Sequence, residues 1–286
     1  HEGDYYASHK GFCRLVEKLR SLMEMEAVQI SEADWTTPRT PLRRWGILNT
    51  RPYMRAKLGV IRALSVMDSR PAIEAALAEA KDSLRLCRSD NVGIRYQVPT
   101  LMLLLGQYQE AYDFIKWHAK VYQDSHYDWG NMELPYLDIH GADMAEEKMP
   151  VEYGDVFFTS AIVYIKMTLA KAVRDAIVAH ELADRASLPA ALGAFLAPTG
   201  TASSLTDLKK LYRKLTRQAQ KAFALTHTQN KHFWGAMLDP FPLIEAPDPP
   251  CHGFGDVNQV KIWVEQNDLL WCDHHEFIRE HLGKLA

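Results

Sequence analysis

Several things that would narrow the chemistry of this chain are missing from it. Its four cysteines, Cys13, Cys87, Cys251 and Cys272, are scattered and show no paired spacing. That argues against a disulfide framework and for a reducing compartment, cytosol or nucleus. There is no basic excess: 33 Lys and Arg face 36 Asp and Glu, for a net charge of −3. Sequence-independent nucleic-acid binding rests on neutralising phosphates, so no nucleic-acid partner is expected. No uninterrupted apolar run reaches the ~18–20 residues of a membrane helix. The longest, "FFTSAIVYIKMTLAKAV", is broken by Lys166 and Lys171, and no membrane partner is expected. No leader of charge, apolar block and small residues opens the chain, although it starts at His1 rather than Met and further sequence upstream is expected. G-x-S-x-G, a P-loop, a dinucleotide glycine fingerprint and H-E-x-x-H are all absent, so those routes to catalysis have no support.

What remains is an ordinary globular composition, 47% hydrophobic and 24% charged over 286 residues, arranged with helical periodicity. Residues 9–28 carry Phe12, Leu15, Val16, Leu19, Leu22 and Met23 at three- and four-residue steps, which predicts a helix. "TTPRTPLRRWGILNTRP" is too rich in proline for regular structure. Helices are then expected from Pro52, from Pro71 after the capping candidates Asp68 and Ser69, over roughly 92–105, and over "YQEAYDFIKWHAKVY". Pro99 predicts a kink or a helix start inside the third of these. Residues 123–150 lack periodicity but hold Tyr127, Trp129, Leu134, Tyr136 and Leu137, which predicts an ordered excursion. Further helices are expected over about 156–185, over a short apolar stretch in "ASLPAALGAFLAPTGTASS", from an N-cap at Ser204, over "DVNQVKIWVEQNDLLWCD", and at the C-terminus. No strand-and-hairpin pattern is visible. The expected fold is all-α: stacked antiparallel helix pairs in a tetratricopeptide-like array, because short one-sided helices bury their stripes only on neighbours.

Two resemblances sharpen this. "LLLGQYQEA" resembles the junction of a tetratricopeptide-like helix pair through Leu105, Gly106, Tyr108, Glu110 and Ala111. Ala75 and Ala111, each after a Glu, stand 36 residues apart, a period that helix-pair repeats use. The resemblance implies that the small residues let helices approach closely and that the Tyr packs between layers. It covers about residues 52–122, with Pro99 a departure. The head of the chain, His9-Lys-Gly-Phe-Cys13 followed by "RLVEKL", resembles the end of a MYND-type zinc finger. With "CRSDNVGIR" and "YDFIKW" downstream, the whole is similar to fungal MYND-finger proteins. This implies zinc in a longer protein that completes the finger, with residues 1–28 its tail plus a first helix and 29–286 the helical domain. His and Cys one helical turn apart can face one ion, but zinc takes four ligands, so no metal is expected on this pair in this chain. SET-class lysine methyltransferases combine similar parts, but their asparagine–histidine–cysteine and glycine motifs are absent, and that activity does not carry over.

The densest polar cluster is His118, Asp124, His126, Asp128, Asp138, His140 and Asp143. In "DSHYD" carboxylate, imidazole and carboxylate alternate, so an extended segment would place all three on one face. A metal held by Asp124, His126, Asp128, His140 and Asp143 would support metal-dependent hydrolysis. The competing reading is that such side chains satisfy their own irregular backbone. Cys251, His252, Cys272, His274, His275 and His281 fit no zinc spacing, and Cys272 reads as a small buried residue in register with Trp263 and Leu269. The basic run Lys209, Lys210, Arg213, Lys214 and Arg217 reads as a solvated helix face. Five of the seven tryptophans, Trp117, Trp129, Trp234, Trp263 and Trp271, read first as core and second as the lining of a ligand groove. The first functional expectation is a non-enzymatic scaffold that docks a partner peptide or helix, with Arg95, Tyr96, Tyr108, Tyr112 and Lys116 on the docking surface. The second is the metal-dependent enzyme.

Overall fold

A computed structural model describes residues 2–28, 50–131, 133–151, 155–181, 204–247, 249 and 251–285, with the side chains of residues 2–10 and Phe12 outside the description. The Thr/Pro/Arg-rich loop and the short apolar helix expected near residues 186–200 also lie outside it. The described regular structure is entirely helical: α1 Glu2–Val28, α2 Arg51–Ser65, α3 Arg70–Leu86, α4 Val98–Leu104, α5 Tyr108–Gln123, α6 Val156–Glu181, α7 Leu205–Gln229, α8 Phe233–Leu238, α9 Phe241–Ile244, α10 Val257–Lys261, α11 Val264–Trp271 and α12 His275–Leu282. Single 3-10 turns sit at Ile94–Tyr96 and Cys272–His274. The fold is an all-α array in which successive helices pair: α1 with α2, α2 with α3, α4 with α5, and α6 with α7.

The helix starts follow proline chemistry. Pro52, Pro71 and Pro99 occupy the first turns of α2, α3 and α4, where their missing N–H costs no hydrogen bond. Pro99 therefore begins a short helix and does not kink a long one. Ser204 caps α7, accepting the amide of Asp207. Ser69 holds the N-cap position of α3 but its hydroxyl makes no capping bond. Gly106, at φ +75°, turns α4 into α5, and a Cβ added there would meet nothing within 4 Å. Its requirement is therefore the left-handed backbone and not the close helix approach that the repeat resemblance implied. Ala111, fully buried, is the residue that lets the helices meet. The helix expected across 256–273 is broken at Trp263, whose φ of −128° and ψ of 21° separate α10 from α11.

Helix α6 is apolar nearly all round and runs through the centre of the fold against α4, α5 and α7. By length and composition this helix could cross a membrane, but 72% of its most apolar window is buried inside the array. Its one fully buried charge, Lys166, donates to the Met144 carbonyl and, at 2.9 Å, to Gln218 Oε1 of α7. Burial lowers the Lys166 pKa to about 8. Gln218 Nε2 in turn donates to the Glu146 carbonyl at 2.7 Å. These bonds sew the excursion to the central helix pair. At its other end, Arg88 donates to the carbonyls of Asn131 and Leu134 and lies 4.5 Å over the Tyr136 ring, while Trp117 packs edge-on against Tyr127, Trp129 and Tyr136. Buried Asp113 accepts the amides of Gly141 and Ala142 at 2.8 and 2.9 Å. The excursion is thus an ordered layer over α5, and it forms one wall of the candidate site.

Candidate functional site

Only some of the residues expected on a docking surface reach one. Arg95 is 7% exposed; it donates to buried Asp90 at 3.0 Å and to the hydroxyl of Tyr122, and it lies between the rings of Tyr96, Tyr122 and Trp129. Tyr112 is fully buried and donates to Glu146 Oε1 at 2.7 Å. Both are therefore interior residues, and the reason is positional. Arg95 is held inside by the Asp90 carboxylate, and Tyr112 lies on the face of α5 turned towards α6. Tyr108 is half-buried against the core and does not reach the surface that Lys116 lines. Lys116 and Tyr96, both partly exposed, do reach a common surface.

The Asp/His cluster does not converge either. Asp124 accepts the amide of His126, Asp128 that of Gly130 and Asp143 that of Ala145, each 2.8–2.9 Å away. These are side chains turning their own backbone. All five of Asp124, His126, Asp128, His140 and Asp143 are exposed. Among the described residues no three His, Cys, Asp or Glu side chains are grouped as metal ligands. His118 is elsewhere, completely buried among Phe114, Trp117, Tyr122 and Phe158, where burial and then Arg95 hold its pKa well below the usual value. Of the finger-like pair, Cys13 packs half-buried against the core and the His9 side chain lies outside the described residues. The two are half of the four donors that zinc takes, so no zinc chemistry is built on them. Cys272 is exposed, not buried, because it falls in the turn after α11 ends. Lys209 and Lys214 of the basic run pair with Glu181 and Glu147 across the surface.

A different site emerges where α5, the end of the excursion and the head of α6 meet. Lys116, Ala119, Lys120 and Gln123 recur at helical steps along one stripe of α5. With Glu146, Lys148, Met149 and Pro150 they line a cavity of about 150 Å³. Three lysines there face one carboxylate, Glu146, whose Oε2 accepts Lys116 at 2.7 Å. Ala119 and Pro150 are shared with a second cavity of about 130 Å³, lined also by Tyr96, Tyr122, Val151, Asp155, Phe158, Thr159 and Phe254. The two cavities adjoin at Ala119 and Pro150, one lined by lysines and the other by aromatic rings. The small side chain of Ala119 lines both.

Asp155 is the N-cap of α6: its Oδ1 accepts the amides of Phe157 and Phe158 at 2.8 and 3.1 Å. Oδ2 accepts no hydrogen bond among the described residues. The side chain is 8% exposed, and burial raises its pKa to about 7 against the lowering pull of the two amides and Arg95. Burial also raises the pKa values of Tyr96 and Tyr122. Phe254 is 83% exposed at the cavity mouth, the most exposed of the large apolar side chains described. Its turn is nonetheless firmly tied. Gly255 adopts φ +77°, which an L side chain rarely adopts, its amide donates to Gln259, and Asn230 bonds the Asp256 carbonyl and Gln259. Composition and periodicity carry no hint of Phe254 or Lys148. Asp155 was findable: an Asp directly before a long apolar helix is an N-cap signal.

Against this geometry, no family model, no curated protein and no solved structure matches the chain.

Proposed function

We propose that the protein is an interaction scaffold whose groove along α5 takes a partner peptide carrying acidic residues and one side chain that enters the aromatic cavity. The observation that carries this is the shared wall at Ala119 and Pro150, which joins a lysine-rich surface to an aromatic-walled hole. At about 130 Å³ the hole is well below the ~300 Å³ of a small-molecule pocket. It is close to the ~150 Å³ that holds a benzene-sized group, and so it suits one side chain of a larger ligand. The lysines supply charge complementarity along the approach, which favours acidic partners and speeds encounter. A docked peptide remains the reading, but through α5, residues 146–151 and the head of α6, and not through Arg95 and Tyr112.

The test is a titration of the whole chain with a fluorescent library of glutamate-rich peptides, scored by anisotropy at low and at moderate salt. Binding that weakens with salt, and that falls at least tenfold in Ala119→Leu and in Lys120→Glu, is expected. Ala119→Leu keeps a strong helix former on α5 while filling the wall. Binding left unchanged by both substitutions, or no binding by wild type, would overturn the reading.

A further inference from the structure

Building on that groove, we infer that the side chain taken by the aromatic cavity is a methylated lysine of the partner peptide, held by Asp155 and ringed by Tyr96, Tyr122, Phe158 and Phe254. Three features of the cavity lead there. The first is a carboxylate in the lining. Oδ1 of Asp155 is committed to two backbone amides, and Asp155 is the one carboxylate among the residues that line the cavity. A purely apolar occupant would cover that group and leave its charge uncompensated, an unfavourable outcome for a carboxylate. An occupant bearing an N–H and a positive charge satisfies it.

The second feature is the wall. Tyr96 and Phe158 stand edge to face with centroids 5.7 Å apart, and Tyr122 and Phe254 complete the lining. Aromatic rings beside a carboxylate attract organic cations through their quadrupoles, and the attraction grows when water is excluded. The third is Phe254, a large aromatic left in solvent on a turn that three side-chain hydrogen bonds hold in place. Exposure of that ring is unfavourable in the free protein and is relieved when an occupant fills the mouth.

Methylation follows from counting donors. An unmodified lysine ammonium carries three N–H groups, and the lining of the cavity includes one carboxylate, Asp155. The Tyr122 hydroxyl already accepts Arg95. A dimethylated lysine carries one N–H for that carboxylate and two methyl groups for the rings. The acidic residues of the same peptide then lie along Lys116, Lys120 and Lys148. Ligand and groove are complementary at both ends.

The experiment uses the full chain at pH 8 and four matched peptides, each with glutamates on both sides of one central residue: lysine, dimethyllysine, trimethyllysine or the uncharged norleucine. Isothermal titration should give dimethyllysine at least tenfold tighter binding than norleucine and severalfold tighter than lysine. Asp155→Asn, which keeps an N-cap side chain for α6, should erase most of that preference while leaving norleucine affinity within about twofold. Phe254→Ala, on an exposed side chain, should weaken dimethyllysine and trimethyllysine severalfold without lowering the melting temperature. Norleucine binding as tightly as dimethyllysine would overturn the inference and leave the groove reading standing. Failure of all four peptides to bind would overturn both. A preference that survives Asp155→Asn would overturn the assignment to this cavity.

Discussion

Replacing Asp155 by Asn should stabilise the protein increasingly as pH rises from about 4 to 7, and by a constant amount above that. The carboxyl sits under the head of α6 with 8% of its surface exposed, and its pKa rises from 3.8 to about 7, mainly through burial. A carboxyl whose pKa is raised on folding keeps its proton in the folded state over a range where the unfolded chain has released it. Between roughly pH 4 and 7 the folded state therefore holds the extra proton, and stability falls as pH rises. Above about pH 7 both states are ionised and the loss is complete. At ~1.4 kcal/mol per pK unit, three units amount to about 4 kcal/mol. Solvent reaching the carboxylate through the cavity screens part of this, so a plateau of about 2–4 kcal/mol is expected. Asn stays neutral throughout and still accepts the Phe157 and Phe158 amides. Urea denaturation of wild type and Asp155→Asn at pH 4.5, 6, 7 and 8 isolates the effect, because every other titrating group cancels in the difference. The two proteins should match within about 1 kcal/mol at pH 4.5 and diverge in favour of Asn to a plateau near pH 8. A difference that does not vary with pH would refute the reasoning. So would wild type gaining on the variant as pH rises, since that would mean the helix-head amides hold the carboxylate ionised.

Arg95→Ala should cost about 3–5 kcal/mol, measured by the same denaturation, because it leaves buried Asp90 without its ion pair; a loss under 1 kcal/mol would show the pair to be unimportant. Gly106→Ala should cost about 1 kcal/mol through backbone strain alone, since open space surrounds the position and φ is +75°; in thermal melts Gly106→Asn should fall between Gly106→Ala and wild type, as Asn tolerates the left-handed region.

Much of the fold was legible in the sequence, and particular residues show why. Pro52 and Pro71 announced the starts of α2 and α3, because a ring that fixes φ and lacks an N–H fits the first turn, whereas Pro99 left a kink or a start open and only the structure made it the start of α4. Ser204 announced α7 through its capping oxygen. The break at Trp263 was not legible: apolar residues continue across it, and only packing reveals that α10 and α11 are separate helices. The Asp and His cluster looked like chemistry because one-dimensional spacing cannot show whether Asp124 turns towards an ion or towards the amide two residues on.

The sequence by itself determined the helical class, several helix starts and the presence of an ordered excursion, since these depend on local backbone preference and on periodicity within a few residues. Tertiary structure alone decided the site. It buried Arg95 and Tyr112, and it brought Lys120 of α5, Lys148 and Pro150 of the excursion, Asp155 of α6 and Phe254 of a distant turn to one groove. The physical reason is that a cavity is the space left between packed elements. Its shape and the carboxylate in its lining come from how helices far apart in the chain come to rest on one another, and no local pattern encodes that.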